Sequence, residues 1–126
     1  MATKRTRYRI LIIDDDKIVS IMVGQMIRRM GYSSVACTKP TDALRLFTRV
    51  PERFDAVIMD EIMPDLRGTQ LAAQFLRIKP DIPIILMTGR GDTLSMEQIR
   101  ESGVRSTLIK PVIKEWLQDV LTRLLK

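Results

Sequence analysis

Short unbroken apolar runs and longer stretches of helical period take turns along the chain. The run over 8–13 ends in Ile10-Leu11-Ile12-Ile13 and breaks off at Asp14-Asp15-Asp16. A branched run without polar alternation suits a strand covered on both faces. Over 17–30, Ile18, Ile21, Met22, Met26 and Met30 recur at helical spacing, and Gly31 predicts the stop. Val19 and Val23 form a further stripe on that helix, which leaves apolar side chains over for a partner. A second short strand is expected over 33–37, and Pro40 is well placed to open the next helix, with Ala43, Leu44, Phe47 and Val50 on its apolar side.

The same grammar continues. Residues 51–53 read as a turn, and 54–59 as a third buried strand ending in Asp60-Glu61. Pro64 and Gly68 punctuate a loop, and a helix is expected from about Thr69 to Ile78. A fourth strand covers 83–87, with the loop Thr88-Gly89-Arg90-Gly91-Asp92 behind it. Ser95 and Gln98 have capping-box spacing for a short helix that Gly103 stops. The fifth strand, 107–109, is cut off by Lys110-Pro111. In the last helix Ile113, Trp116, Leu117, Val120, Leu121, Leu124 and Leu125 keep helical period, so Trp116 is expected in the core with the leucines. Strictly alternating strand and helix units with continuous apolar strands imply a parallel sheet covered by helices on both sides, with right-handed crossovers.

Composition narrows the class. The chain has 126 residues, enough for one domain, and 45% are hydrophobic, a globular balance. No apolar run approaches the ~18 residues of a membrane span, and the start lacks the pattern of a secretory signal, so a cytoplasmic protein is expected. Cys37 is the single cysteine and histidine is absent, which excludes an internal disulfide, thiolate–imidazole zinc sites and histidine-based triads. The formal charge is +6, but Lys4, Arg5, Arg7 and Arg9 supply four positives near the start. Residues 1–8 are therefore expected as a solvated basic tail and 9–126 as the domain, and nucleic-acid binding gains little support.

The chemistry must then run on carboxylates, hydroxyls and lysines. In open parallel sheets ligands bind beyond the carboxyl ends of the strands, where strand order reverses. Asp14-Asp15-Asp16, Asp60, Thr88 and Lys110 stand at four of those five ends. With the order 2-1-3-4-5 the first and third strands are neighbours, and Asp14, Asp15 and Asp60 converge. With 3-2-1-4-5 they separate. Crowded carboxylates raise one another's pKa, and a hard divalent cation, Mg²⁺ by preference, relieves that repulsion. Lys110 adds an ammonium, Thr88 a hydroxyl, and the Thr88-Gly89 backbone an N–H. Such a set suits stabilisation of a transferring phosphoryl group, with Asp60 the best placed acceptor.

Taken together, Asp14-Asp15, Asp60 with Met63-Pro64 and Gly68, Thr88-Gly89 and Lys110-Pro111 resemble the receiver domain of two-component response regulators, from about Arg9 to Leu125. The resemblance implies a flavodoxin-like (βα)5 sandwich with the 2-1-3-4-5 sheet. It implies that Asp14 and Asp15 hold Mg²⁺, that Asp60 takes phosphate from a phosphohistidine, and that Ile62 gives a backbone carbonyl to the metal. It places Thr88 and Lys110 on the phosphoryl oxygens and makes the bond before Pro111 cis. Asp16 matches a variable position and reads as a helix N-cap. The implied partners are a histidine kinase or a histidine phosphotransfer protein, with docking by the first helix and the loops around Asp60.

Departures from the family pattern matter as much. Thr107 stands where receivers usually carry Tyr or Phe, so the aromatic lever of the helix-4/strand-5/helix-5 face is missing. Weak homodimerisation through that face is correspondingly less expected. Arg67 replaces a common Asp and reads as a solvated substitution. Ile62 and Arg90 occupy positions that tune dephosphorylation, and apolar Ile62 is expected to hinder the attacking water. The wording of 54–60 and 105–111 resembles receivers appended to hybrid sensor kinases, which suggests a fragment or a stand-alone relay element rather than a transcription factor. The competing classes are a Mg²⁺-dependent phosphatase with Asp60 as nucleophile, which would need a neighbouring general acid and a cap, and an interaction module that keeps the fold without phosphorylation.

Overall fold

The computed structural model describes residues 7–89 and 94–125. The apolar runs form β1 (Arg9–Ile13), β2 (Ser33–Cys37), β3 (Ala56–Asp60), β4 (Ile84–Thr88) and β5 (Ser106–Ile109). Between and after them lie α1 (Lys17–Arg29), α2 (Pro40–Arg49), α3 (Gly68–Ile78), α4 (Met96–Ser102) and α5 (Lys114–Leu124), with a 3-10 turn at Pro51–Arg53. All strand pairs are parallel and the order is β2-β1-β3-β4-β5, the order the carboxylates demanded. The carboxyl ends of the strands therefore share one rim, and each helix carries the chain back toward the other.

Alternation along the strands builds two cores. Leu11, Ile13, Val57, Met59 and Leu86 pack against Ala43 and Phe47 of α2 and Leu71, Ala72 and Phe75 of α3. Phe47 stacks on Phe75 with ring centroids 4.3 Å apart. On the opposite face Ile10, Ile12, Ile58, Ile85, Met87 and Leu108 meet Val23 and Ile27 of α1 and Leu117, Val120 and Leu121 of α5. The ends of the helices follow local chemistry. Asp16 Oδ1 accepts from the N–H groups of Ile18 (2.9 Å) and Val19 (3.3 Å), capping α1 as expected. Ser95 and Gln98 form the reciprocal box at α4, and Gly103 ends that helix at φ +85°, a conformation costly for any residue with a Cβ.

Three expectations change. In α1 the stripe of Ile18, Ile21 and Met22 faces outward, at 69%, 51% and 50% exposure, while Ser20, Val23, Gly24 and Ile27 are buried. The small residues decide it: a Cβ on Gly24 would sit 3.7 Å from Ile12 Cδ1, so the helix comes closest to the sheet on the Gly24 side. Trp116 is 53% exposed rather than in the core, and Ile113 is exposed beside it. The sheet ends at β5, so α5 buries its Leu117, Val120 and Leu121 side and has no further strand to cover Trp116. Asp60 closes β3 instead of following it, paired in register with Met87. No described helix is long and apolar enough to cross a membrane.

Candidate functional site

Register carries the acids together. Ile13 of β1 pairs with Met59 of β3, so the next residues, Asp14 and Asp60, lie side by side at the carboxyl rim. A carboxylate oxygen from each of Asp14, Asp15 and Asp60 lies within 4.8 Å of the others. Asp14 and Asp60 are buried and Asp15 is exposed. Lys110 reaches the same point from β5: its N–H donates to the Thr88 carbonyl (2.8 Å), continuing the β4–β5 ladder by one residue. Its Nζ lies 2.9 Å from Asp14 Oδ2 and 3.1 Å from Asp60 Oδ2. The Lys110–Pro111 bond is cis, as the resemblance implied.

The carboxylates are not equivalent. Asp14 Oδ1 accepts from the Asp16 N–H at 2.9 Å. Its Oδ2 is buried with no hydrogen-bond donor aligned on it among the described residues, and the Lys110 charge is what answers it. Burial first, and then the Asp14 charge, push Asp60 up to about 6, against the lowering pull of Lys110 and of the Ile62 N–H bonded to its carboxyl. Burial disfavours the Lys110 ammonium, but the Asp14 and Asp60 carboxylates outweigh it and hold its pKa above the ordinary lysine value. Two buried acids, one exposed acid and an incompletely satisfied oxygen make a donor set that suits a hard divalent cation, with solvent on the Asp15 side to complete its shell.

Thr88 ends β4, half-buried, and Gly89 follows it at the rim. Ile62 is 49% exposed on the loop after Asp60. Arg90 lies outside the described residues. Thr107 is half-buried on β5 and shares a shallow groove with exposed Trp116, so the position of the missing aromatic lever has an indole nearby from α5.

Glu61 and Arg67 are where sequence reasoning fell short. Arg67 is exposed, as expected, but its Nη1 also lies 3.5 Å from Glu61 Oε2. Glu61 is fully buried, and its Oε1 accepts from the Thr69 N–H at 2.9 Å. With its carboxylate committed there, Glu61 does not serve Asp60 as a general acid, the group a phosphatase would need. A signal existed. Arg67 has no side-chain acceptor to cap α3, so the orphan N–H groups of that helix had to find one elsewhere. Gly68 shows how tight the arrangement is, because a Cβ there would collide with the Asp60 carbonyl oxygen.

Comparison with known proteins agrees with this geometry. The sequence matches the response regulator receiver domain family over residues 10–122. It is 32% identical over 112 residues to the transcriptional regulatory protein GlrR of Escherichia coli (strain K12), covering 89% of this chain and 25% of that protein. The chain thus spans about a quarter of that relative's length. A response regulator receiver domain protein from Clostridium thermocellum superposes with a TM-score of 0.88 at 27% identity, covering 94% of both chains. The receiver domain of Saccharomyces cerevisiae Ssk1, crystallised with the histidine phosphotransfer signaling protein Ypd1, shares the fold with a TM-score of 0.82 at 19% identity, covering 94% of this chain and 89% of that one.

Proposed function

The chain belongs to the response regulator receiver domain family, and on that footing we propose that Asp60 accepts a phosphoryl group from a phosphohistidine. One observation carries the reading: Asp60 and Asp14 share the Lys110 ammonium at 3.1 and 2.9 Å while Asp15 closes the cluster. In the transfer an Asp60 Oδ–P bond forms as the P–N bond breaks, and the leaving imidazole nitrogen keeps the electron pair. Asp14, Asp15, Asp60 and the Ile62 carbonyl would hold Mg²⁺, which when bound would supply charge neutralisation to the phosphoryl oxygens. Lys110 exchanges its Asp60 contact for a phosphoryl oxygen, and the Thr88 hydroxyl with the backbone at Gly89 takes another. The chain's own catalysis is limited to gaining and losing this group.

The donor we propose is a histidine kinase or a histidine phosphotransfer protein. The family membership supports it, and so do the exposed Ile18, Ile21 and Met22 on α1, the helix that starts two residues after Asp15. The test is incubation of the full chain with acetyl phosphate and Mg²⁺, read by intact mass. One added phosphoryl group is expected in the native protein and none in Asp60→Ala. An Asp60→Ala chain that gains the group overturns the assignment.

A further inference from the structure

Glu61 makes five contacts from one residue. Its N–H donates to the Met87 carbonyl of β4 (2.9 Å), and its carbonyl accepts from the Gly68 N–H (3.0 Å). Its Oε1 accepts from the Thr69 N–H (2.9 Å), and its Oε2 meets Thr69 Oγ1 (3.3 Å) and Arg67 Nη1 (3.5 Å). The first two N–H groups of α3 are therefore both satisfied by Glu61, one by its main chain and one by its side chain. The segment between is closed on itself. Inside it lie Ile62, exposed two residues after Asp60, and Met63, buried in the core. Gly68 lets the closure tighten, since any Cβ there would strike the Asp60 carbonyl oxygen and approach Glu61 Cα to 3.0 Å.

We propose that Glu61 is a positioning residue for the acidic pocket: by clamping Thr69 and Arg67 it fixes the loop that places Ile62 against Asp60. The proposal deepens the phosphoacceptor reading and rests on it. What matters in this role is the reach of the side chain to the Thr69 N–H, because Arg67 and the start of α3 already answer its charge. Removing an outer partner of a metal ligand typically weakens metal binding about 10-fold or more.

Two variants of the full chain separate reach from charge. Glu61→Gln keeps the reach and loses the charge; Glu61→Asp keeps the charge and falls one methylene short. Mg²⁺ alone is titrated into each by calorimetry, well below the unfolding midpoint of each. Glu61→Gln is expected within about twofold of the native dissociation constant and Glu61→Asp weakened about tenfold. Thr69→Val, a milder change that removes only the hydroxyl, is expected in between and serves if Glu61→Asp does not fold. Glu61→Gln as weak as Glu61→Asp, or both variants unchanged, overturns the positioning role while leaving the pocket intact. A native chain that takes up no Mg²⁺ overturns the pocket reading and the role together.

Discussion

At Asp60, burial and the Asp14 carboxylate act together against ionisation, and the group titrates near 6 instead of the ordinary 3.8. A raised acid pKa means that the native state binds more protons than the unfolded chain between those values. Stability is therefore expected to fall as pH rises through that window and to stay lower above about 6. Urea denaturation in EDTA at pH 4.5 and 7.5 measures it, with Asp60→Asn as the reference from which this component is missing. An equal change in both proteins would sink the assignment. If Asp60 holds Mg²⁺ as proposed, metal and proton compete for the same carboxyl, and Mg²⁺ affinity is expected to climb with pH through the same window and then level. A different event is expected to depend on Ile62, 49% exposed two residues after Asp60: if its apolar branch hinders the attacking water, Ile62→Asn should lose aspartyl phosphate about three- to tenfold faster, a barrier change under ~2 kcal/mol. Decay of the phosphorylated mass after donor removal is the measurement, and an unchanged rate rejects the steric explanation.

Among the elements, α1 and α5 show how far periodicity can be trusted. Apolar spacing located both helices, yet α1 carries apolar residues on more than half its circumference, and period alone does not say which stripe meets the sheet. Gly24 and Ser20 decide it, because two small residues on one side allow the closest approach. The outward stripe then becomes the docking candidate. Met22→Asp is expected to change stability by no more than about 0.5 kcal/mol, as an exposed substitution. The same variant should slow phosphotransfer from a histidine phosphotransfer protein about tenfold while acetyl phosphate labels it at the native rate. Loss of both reactions would locate the damage in the pocket and not in docking. In α5 the failure was of another kind. Trp116 has the right spacing but stands beside an edge strand, and whether a neighbour exists there is a property of the sheet that a local pattern does not contain.

At the level of the molecule, the site was legible because topology and chemistry constrain each other. Parallel strands put every carboxyl end on one rim, so acids and a lysine at strand ends had to meet if β1 and β3 were neighbours, and repulsion among the acids made sense only in that order. What stayed hidden was contact across loops. Glu61 finds Thr69 only after the chain has turned at Asp65, whose φ of +73° is unusual for a residue with a side chain. No periodicity encodes that turn, and the pairing of Glu61 with Arg67 depends on it. The shared rim has a further consequence for anyone handling the domain. Arg9 enters the sheet, and α5 finishes, on the side away from the acids, roughly 15 Å off across a five-residue strand. A dye carried near Arg9 or on Arg123 in the last turn of α5 hangs below the pocket like a keel, leaving the mouth above open to visitors.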